Sequence, residues 1–193
     1  LKGTGVKSDC FYIPIGVNVD EFNPGNFSKI ENDKFIFLNT GLLCYRKGTH
    51  YLINAYKEFS RKHPSQSELH LVGPVDPETM PEFKEMAEDE PSIKFFDSIT
   101  PEKVPTHVAE CDVYVSPVLL GERGPVQPNV LEAMAMAKPI IISEFSDVSD
   151  WPDKKIALTC KMADQNSLLA AMEKLYLDQE LRMNMGMNAY QYA

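Results

Sequence analysis

The stretch GERGPVQPNVLEAMAMAKPIIIS, residues 121–143, joins a glycine- and proline-rich loop to a helix with almost no polar side. Pro128 or Val130 opens that helix, with Gln127 or Asn129 as its cap. The first amides of a helix lack internal partners, and the aligned peptide dipoles add roughly half a positive charge there. Gly121 and Gly124 would let a ligand approach the backbone. Together these features suit a bound phosphate; the alternative is a plain tight turn. Glu132 has two readings as well. With Asn129 as the cap it stands at the third helical position and completes a capping box. Otherwise it accepts hydrogen bonds from a pair of ligand hydroxyls, such as those of a ribose. Its neighbours Val130, Leu131, Ala133 and Met134 are apolar, so a buried carboxylate there needs a partner.

A second loop, TGLLCYRKG, follows the apolar run FIFLN at 35–39. It sets Arg46 and Lys47 at or just before a helix start. Cations at a helix N-terminus oppose the dipole. An anion held between these side chains and the amides would offset that cost. The alternative is two solvated charges.

The elements that position these loops follow from hydrophobic period. FIFLN suits a strand buried on both faces. Tyr51, Leu52, Ala55, Tyr56 and Phe59 recur at helical spacing, giving an amphipathic helix over 48–62. LHLVG (69–73), IKFF (93–96), VYVSP (113–117), Ile140 to Ile142, and IALTC (156–160) read as further strands. A surface helix occupies 79–89. Thr100 caps a helix that has Pro101 at its first position and runs to Glu110. Asp164 and Asp178 cap the last two helices. FYIPIGVNVDEFNPG (11–25) reads as a short strand followed by turns marked by Pro14, Gly16, Pro24 and Gly25. Alternating strands and helices predict an α/β fold, a Rossmann-like parallel sheet with helices on both faces. Ligands in such sheets bind at the carboxyl ends of the strands, which selects the loops after 35–39, 93–96 and 113–117.

Composition agrees. At 193 residues, 44% apolar and 24% charged, the chain is an ordinary globular domain. Its 19 basic and 28 acidic residues leave a net charge of −9. That balance argues against a dedicated nucleic-acid binder. Cys10, Cys44, Cys111 and Cys160 form no C-x-x-C pair and read as free, buried thiols of a reducing compartment. His50, His63, His70 and His107 lack metal-ligand spacing. No apolar run reaches the ~18 residues of a membrane helix. The opening LKGTGVKSDC reads as the middle of a longer protein.

Taken in order, these segments resemble the C-terminal, donor-binding half of group 1 (family 4) glycosyltransferases of the GT-B fold. IPIGVNVDEF is similar to the family's entry segment, with Asn18 in the place of an aspartate. FIFLNTGLLCYRKGTHYLINAYKEF resembles its first strand, loop and helix, and LHLVGP its second strand. CDVYVSP and PNVLEAMAMAKPIIIS resemble its signature, and DQNSLLAAMEKLYLDQELRMNMGMNAYQYA its closing helices. The resemblance implies an interdomain entry segment over 1–30 and a donor domain over 31–193. It implies transfer of a sugar from a nucleotide-sugar to an acceptor with retention at the anomeric carbon, without a metal or other cofactor. Lys47 falls on the family's phosphate-binding lysine. Glu132 falls on the second glutamate of E-x7-E, which binds ribose. The backbone from Gln127 through Pro128 and Asn129 to Val130 would face the diphosphate and sugar, with Gly41 in the first loop. The implied setting is the cytoplasm, with polysaccharide or glycoconjugate synthesis as the role. Any contact with a membrane surface falls to the N-terminal domain, which is absent from this chain and carries the acceptor site.

Two positions depart from the family pattern. Leu42 replaces the loop arginine, and Arg46, four residues on, is the candidate substitute. The first glutamate of E-x7-E falls on Gly124, with Glu122 two residues away. Without the N-terminal domain, the chain is expected to bind nucleotide and transfer no sugar. Two other readings use the same residues: a non-catalytic module of the same fold, and a sugar phosphorylase that uses inorganic phosphate.

Overall fold

The computed structural model describes residues 15–27, 33–97, 99–119 and 126–193. Six parallel strands form one sheet: β1 (Phe35–Thr40), β2 (Ser67–Val72), β3 (Ile93–Phe96), β4 (Val113–Ser116), β5 (Ile140–Ser143) and β6 (Ala157–Cys160). Their order is β3-β2-β1-β4-β5-β6. The chain winds outward from β1 in one direction and then, from β4, in the other. Adjacent loops therefore diverge between β1 and β4 and leave a crevice at the strands' carboxyl ends. Thr40 is in register with Val72, and Val72 with Phe96, so three strands end level at that crevice.

Alternation along the strands builds two cores. Phe37, Leu69, Leu71, Val113, Val115 and Ile141 point to the face covered by α1 (Thr49–Lys62), α2 (Met80–Ala87) and α5 (Gln165–Leu177). Ile36, Leu38, Val72, Tyr114, Ile140 and Ile142 point to the other face, with α3 (Val104–Glu110) and α4 (Pro128–Ala135). The final helix, α6 (Gln179–Tyr192), joins the two: Met185 packs in the first core and Ala189 in the second. Asp164 accepts from the Ser167 amide at 2.9 Å and Asp178 from the Leu181 amide at 2.8 Å, capping α5 and α6 as expected. Cys44, Cys111 and Cys160 are free and buried; Cys10 lies outside the described residues.

The start of 11–25, where the short strand is read, lies outside the described residues. From residue 15 on the segment consists of turns, as expected: Phe22 donates to the Asn18 carbonyl, and a 3-10 turn follows at Pro24–Asn26. Phe22 is buried in the second core, with Val17 and Phe27 partly buried against it. One expectation needs correction. The helix read from Pro101 to Glu110 is split into a 3-10 turn, Pro101–Lys103, and α3. Pro105 has no amide to return to the Pro101 carbonyl, so an α-helix cannot run through. Of the two caps left open for α4, the structure takes Gln127. Glu132 then lies in the second turn and closes no capping box.

Candidate functional site

The loop after β1 follows the loop after β2. The Gly41 amide donates to the Val72 carbonyl at 2.9 Å, and the Leu43 amide to the Pro74 carbonyl at 2.9 Å. Gly73, at φ +130°, faces Gly41 so closely that a Cβ would lie 2.4 Å from the Gly41 carbonyl oxygen. Only glycine fits. The first loop then makes a 3-10 turn, Tyr45–Lys47, and enters α1 through Gly48 at φ +73°. A Cβ on Gly48 would stand 1.9 Å from the Pro117 carbonyl oxygen. The Leu119 amide donates to the Arg46 carbonyl at 2.9 Å. These contacts pin the loops after β1 and β4 together over the crevice.

A cavity of about 410 Å³ opens there, within the size range of small-ligand sites. One wall is apolar: Val72, Pro74, Ile99, Pro101 and Val104. The other carries Lys47, Gln127, Asn129 and Glu132, with Thr40, Gly41, Gly73 and Pro128 completing the lining.

The polar wall is short of partners. Lys47 Nζ donates to Gln127 Oε1 at 2.6 Å, a neutral acceptor. No carboxylate pairs with this lysine among the described residues. Burial lowers its pKa, and the Arg46 charge lowers it further. Asn129 Nδ2 donates to the Thr40 carbonyl at 2.6 Å. Gln127 Nε2 and Asn129 Oδ1 are both buried without a partner. Glu132 is half-buried, and burial raises its carboxyl pKa, with the Glu21 charge adding to the effect. The cavity thus offers an uncompensated cation and a carboxylate free of any ion pair among the described residues. The first suits an anion; the second suits hydroxyl donors.

The start of α4 supplies fewer backbone donors than a helix start can. Pro128 has no amide, and the Val130 and Leu131 amides turn back to the Gln127 carbonyl at 3.0 and 3.4 Å. Among the bonds of the described residues, that leaves only the Asn129 amide without a backbone partner.

Of the residues expected from the sequence, Gly41, Lys47, Gln127, Pro128, Asn129 and Glu132 line the cavity. Val130 is fully buried beneath it. Arg46 is exposed and outside the lining, and Leu42 is 43% exposed. Glu122 and Gly124 lie outside the described residues. The sequence reading selects the loop after β3, which supplies Ile99 and Pro101, but assigns no residue of the apolar wall to the site and omits the loop after β2. The signal for that loop was Gly73–Pro74 at the carboxyl end of a strand beside β1. No group of three metal-ligating side chains occurs among the described residues, and none of their helices is long and apolar enough to cross a membrane.

Comparison with known proteins gives the site its context. The model of glycosyl transferases group 1 matches residues 34–178. No curated protein matches the sequence. Among solved structures, sucrose-phosphate synthase from Thermosynechococcus elongatus superposes with a TM-score of 0.76 at 23% identity, over 93% of this chain and 46% of that one. The C-terminal domain of LpcC, a glycosyl transferase group 1 family protein from Francisella tularensis, gives 0.75 at 21% identity, over 91% and 95%. HepE from Anabaena, in complex with UDP-glucose, gives 0.77 at 19%, over 92% and 50%. The chain therefore spans about half the length of the synthase and of HepE, and nearly all of the isolated C-terminal domain of LpcC. These likenesses match the expected Rossmann-like half of a GT-B fold. With its family model matched over well more than half its length, the chain belongs to the group 1 glycosyl transferases.

Proposed function

We propose that this chain is the donor-binding half of a retaining glycosyltransferase that moves a sugar from a nucleotide-sugar to an acceptor, in polysaccharide or glycoconjugate synthesis. The observation that carries the reading is the divided cavity at the β1–β4 crevice. Lys47, with no acidic partner among the described residues, stands in the same cavity as Glu132 and an apolar wall. A nucleotide-sugar has matching parts: a diphosphate for Lys47, ribose hydroxyls for Glu132, and a flat base for the wall of Ile99, Pro101 and Val104. The UDP-glucose complex of HepE, a protein of the same fold, supports the ligand class.

In this reading Lys47 has the catalytic role. As the sugar leaves, negative charge grows on the diphosphate. A desolvated ammonium already held in place stabilises that charge without reorganising. Arg46 is the second cation of the loop and contributes to the field from outside the lining. Gly41, Gln127, Pro128 and Asn129 shape the diphosphate end. Val130 fixes α4 from below. Glu122 and Gly124 would complete the sugar end. No metal is required, because the lysine supplies the positive charge. The acceptor and its site belong to an N-terminal domain, and residues 1–30 form the passage from it to the donor domain at 31–193. A cytoplasmic setting belongs to the same reading and agrees with the free, buried thiols of Cys44, Cys111 and Cys160.

One observation favours a second reading, a non-catalytic module of the same fold: Leu42 presents no charge where the family places an arginine. Turnover decides. The protein carrying its N-terminal domain should release nucleotide from its donor, and Lys47→Ala should abolish release. The 193-residue chain alone should show none. Absence of turnover by the protein carrying its N-terminal domain would reject the enzymatic reading, and equal turnover by the Lys47→Ala variant would reject the catalytic role of Lys47.

A further inference from the structure

Beside Lys47 the unspent hydrogen-bond donor is a side chain, that of Gln127. Lysine carries only donors, so the Gln127 carboxamide must present Oε1 to it, as the 2.6 Å contact shows. That choice fixes the other end: Nε2 is buried and has no partner. An unpaired buried donor is costly, and it sits on a residue that lines the cavity beside the lysine. The backbone offers little there, since Pro128 has no amide and the Val130 and Leu131 amides are spent on the Gln127 carbonyl.

We infer that Gln127 reads the anionic group of the ligand: Oε1 holds the Lys47 ammonium in place while Nε2 donates to the same anion. The terminal torsion of a glutamine is broad and roughly two-fold, so a small rotation brings Nε2 to an oxygen that Lys47 also contacts. This rests on the nucleotide-sugar reading for the identity of the ligand, but its content is the anion contact. Gln127 is thus a binding residue for the phosphate oxygens and a positioning residue for Lys47.

The test titrates the chain with pyrophosphate, UDP and uridine, followed by NMR shifts. Gln127→Met keeps the length and removes both polar atoms. Gln127→Glu puts a second negative charge against the anion and pairs with Lys47. Loss of a hydrogen bond to a charged group corresponds to about tenfold or more in affinity. Gln127→Met should weaken pyrophosphate and UDP by about that factor and leave uridine unchanged. Gln127→Glu should weaken both anions further, again sparing uridine. A uniform loss across all three probes would mark a structural role and overturn the inference. So would unchanged pyrophosphate binding in Gln127→Met, even where UDP binding upholds the nucleotide reading. If pyrophosphate binds and depends on Gln127 while UDP gains nothing over it, the anion contact stands and the nucleotide reading falls. A chain that binds neither anion contradicts both.

Discussion

Gly73 and Gly41 meet backbone to backbone at the mouth of the cavity: a Cβ on Gly73 would lie 2.4 Å from the Gly41 carbonyl oxygen. The contact sets the distance between the loops after β1 and β2, both of which line the cavity. Gly73→Ala adds the clash to a backbone at φ +130°, which other residues rarely adopt. We expect a loss of about 2–3 kcal/mol in stability, read by urea denaturation. Nucleotide affinity should fall with it, because the loops must part.

Lys47 illustrates a conflict between stability and binding. Its ammonium is partly desolvated and bonded only to a neutral amide. Lys47→Met removes that uncompensated charge and keeps the packing of the stem. The variant should be at least as stable as the parent in thermal melts without ligand, and should lose its response to UDP. Sites that bind charge commonly trade stability in this way.

Glu132 gives a pH signature of defined sign. Its folded pKa is raised above the ordinary 4.5 by burial and by Glu21. The folded state therefore holds its proton at higher pH than the unfolded state does. Stability from this group is greatest below the ordinary value and is lost as pH rises from there through the raised one. Glu132→Gln removes this dependence. The variant should gain stability relative to the parent as pH rises from 4 to 7, measured by denaturation at each pH. A gain in the opposite direction would mean that Glu132 is paired in solution. Uridine binding by the same variant should weaken, since an amide is a poorer acceptor than a carboxylate for ribose hydroxyls.

Asp164→Ala serves as a control away from the cavity. It removes the 2.9 Å bond to the Ser167 amide that caps α5. A cost of about 1 kcal/mol is expected, with nucleotide binding unaffected in affinity.

Local signals carried most of the fold. β1 and β3 were legible because short apolar runs bounded by turns have few other solutions. α5 and α6 were legible because Asp164 and Asp178 stand one residue before periodic apolar stretches. The split of 101–110 is written in the sequence at Pro105, which removes the amide that would return to the Pro101 carbonyl; Pro101 marks only where the first turn begins. In the described part of the segment before β1, Phe22 takes a buried core position and Val17 and Phe27 pack against it. At the site, Lys47 and Glu132 could be named from charge placed beside apolar sequence. The apolar wall could not. Val72, Ile99 and Val104 look like any core residue until the strand order brings three loop ends to one crevice. The Gln127–Lys47 contact, 80 positions apart, is likewise a product of topology and leaves no local trace.

The most direct test of the central claim is a thermal-shift titration of this chain with UDP, GDP, ADP and their sugar conjugates. A ligand that binds only the folded state adds about 2.7 kcal/mol at a hundred times its dissociation constant. The account predicts an upward shift with one nucleotide family and no shift for the Lys47→Ala variant. A shift of equal size in that variant would contradict the account, as would the absence of any shift in the parent chain and in the protein carrying its N-terminal domain.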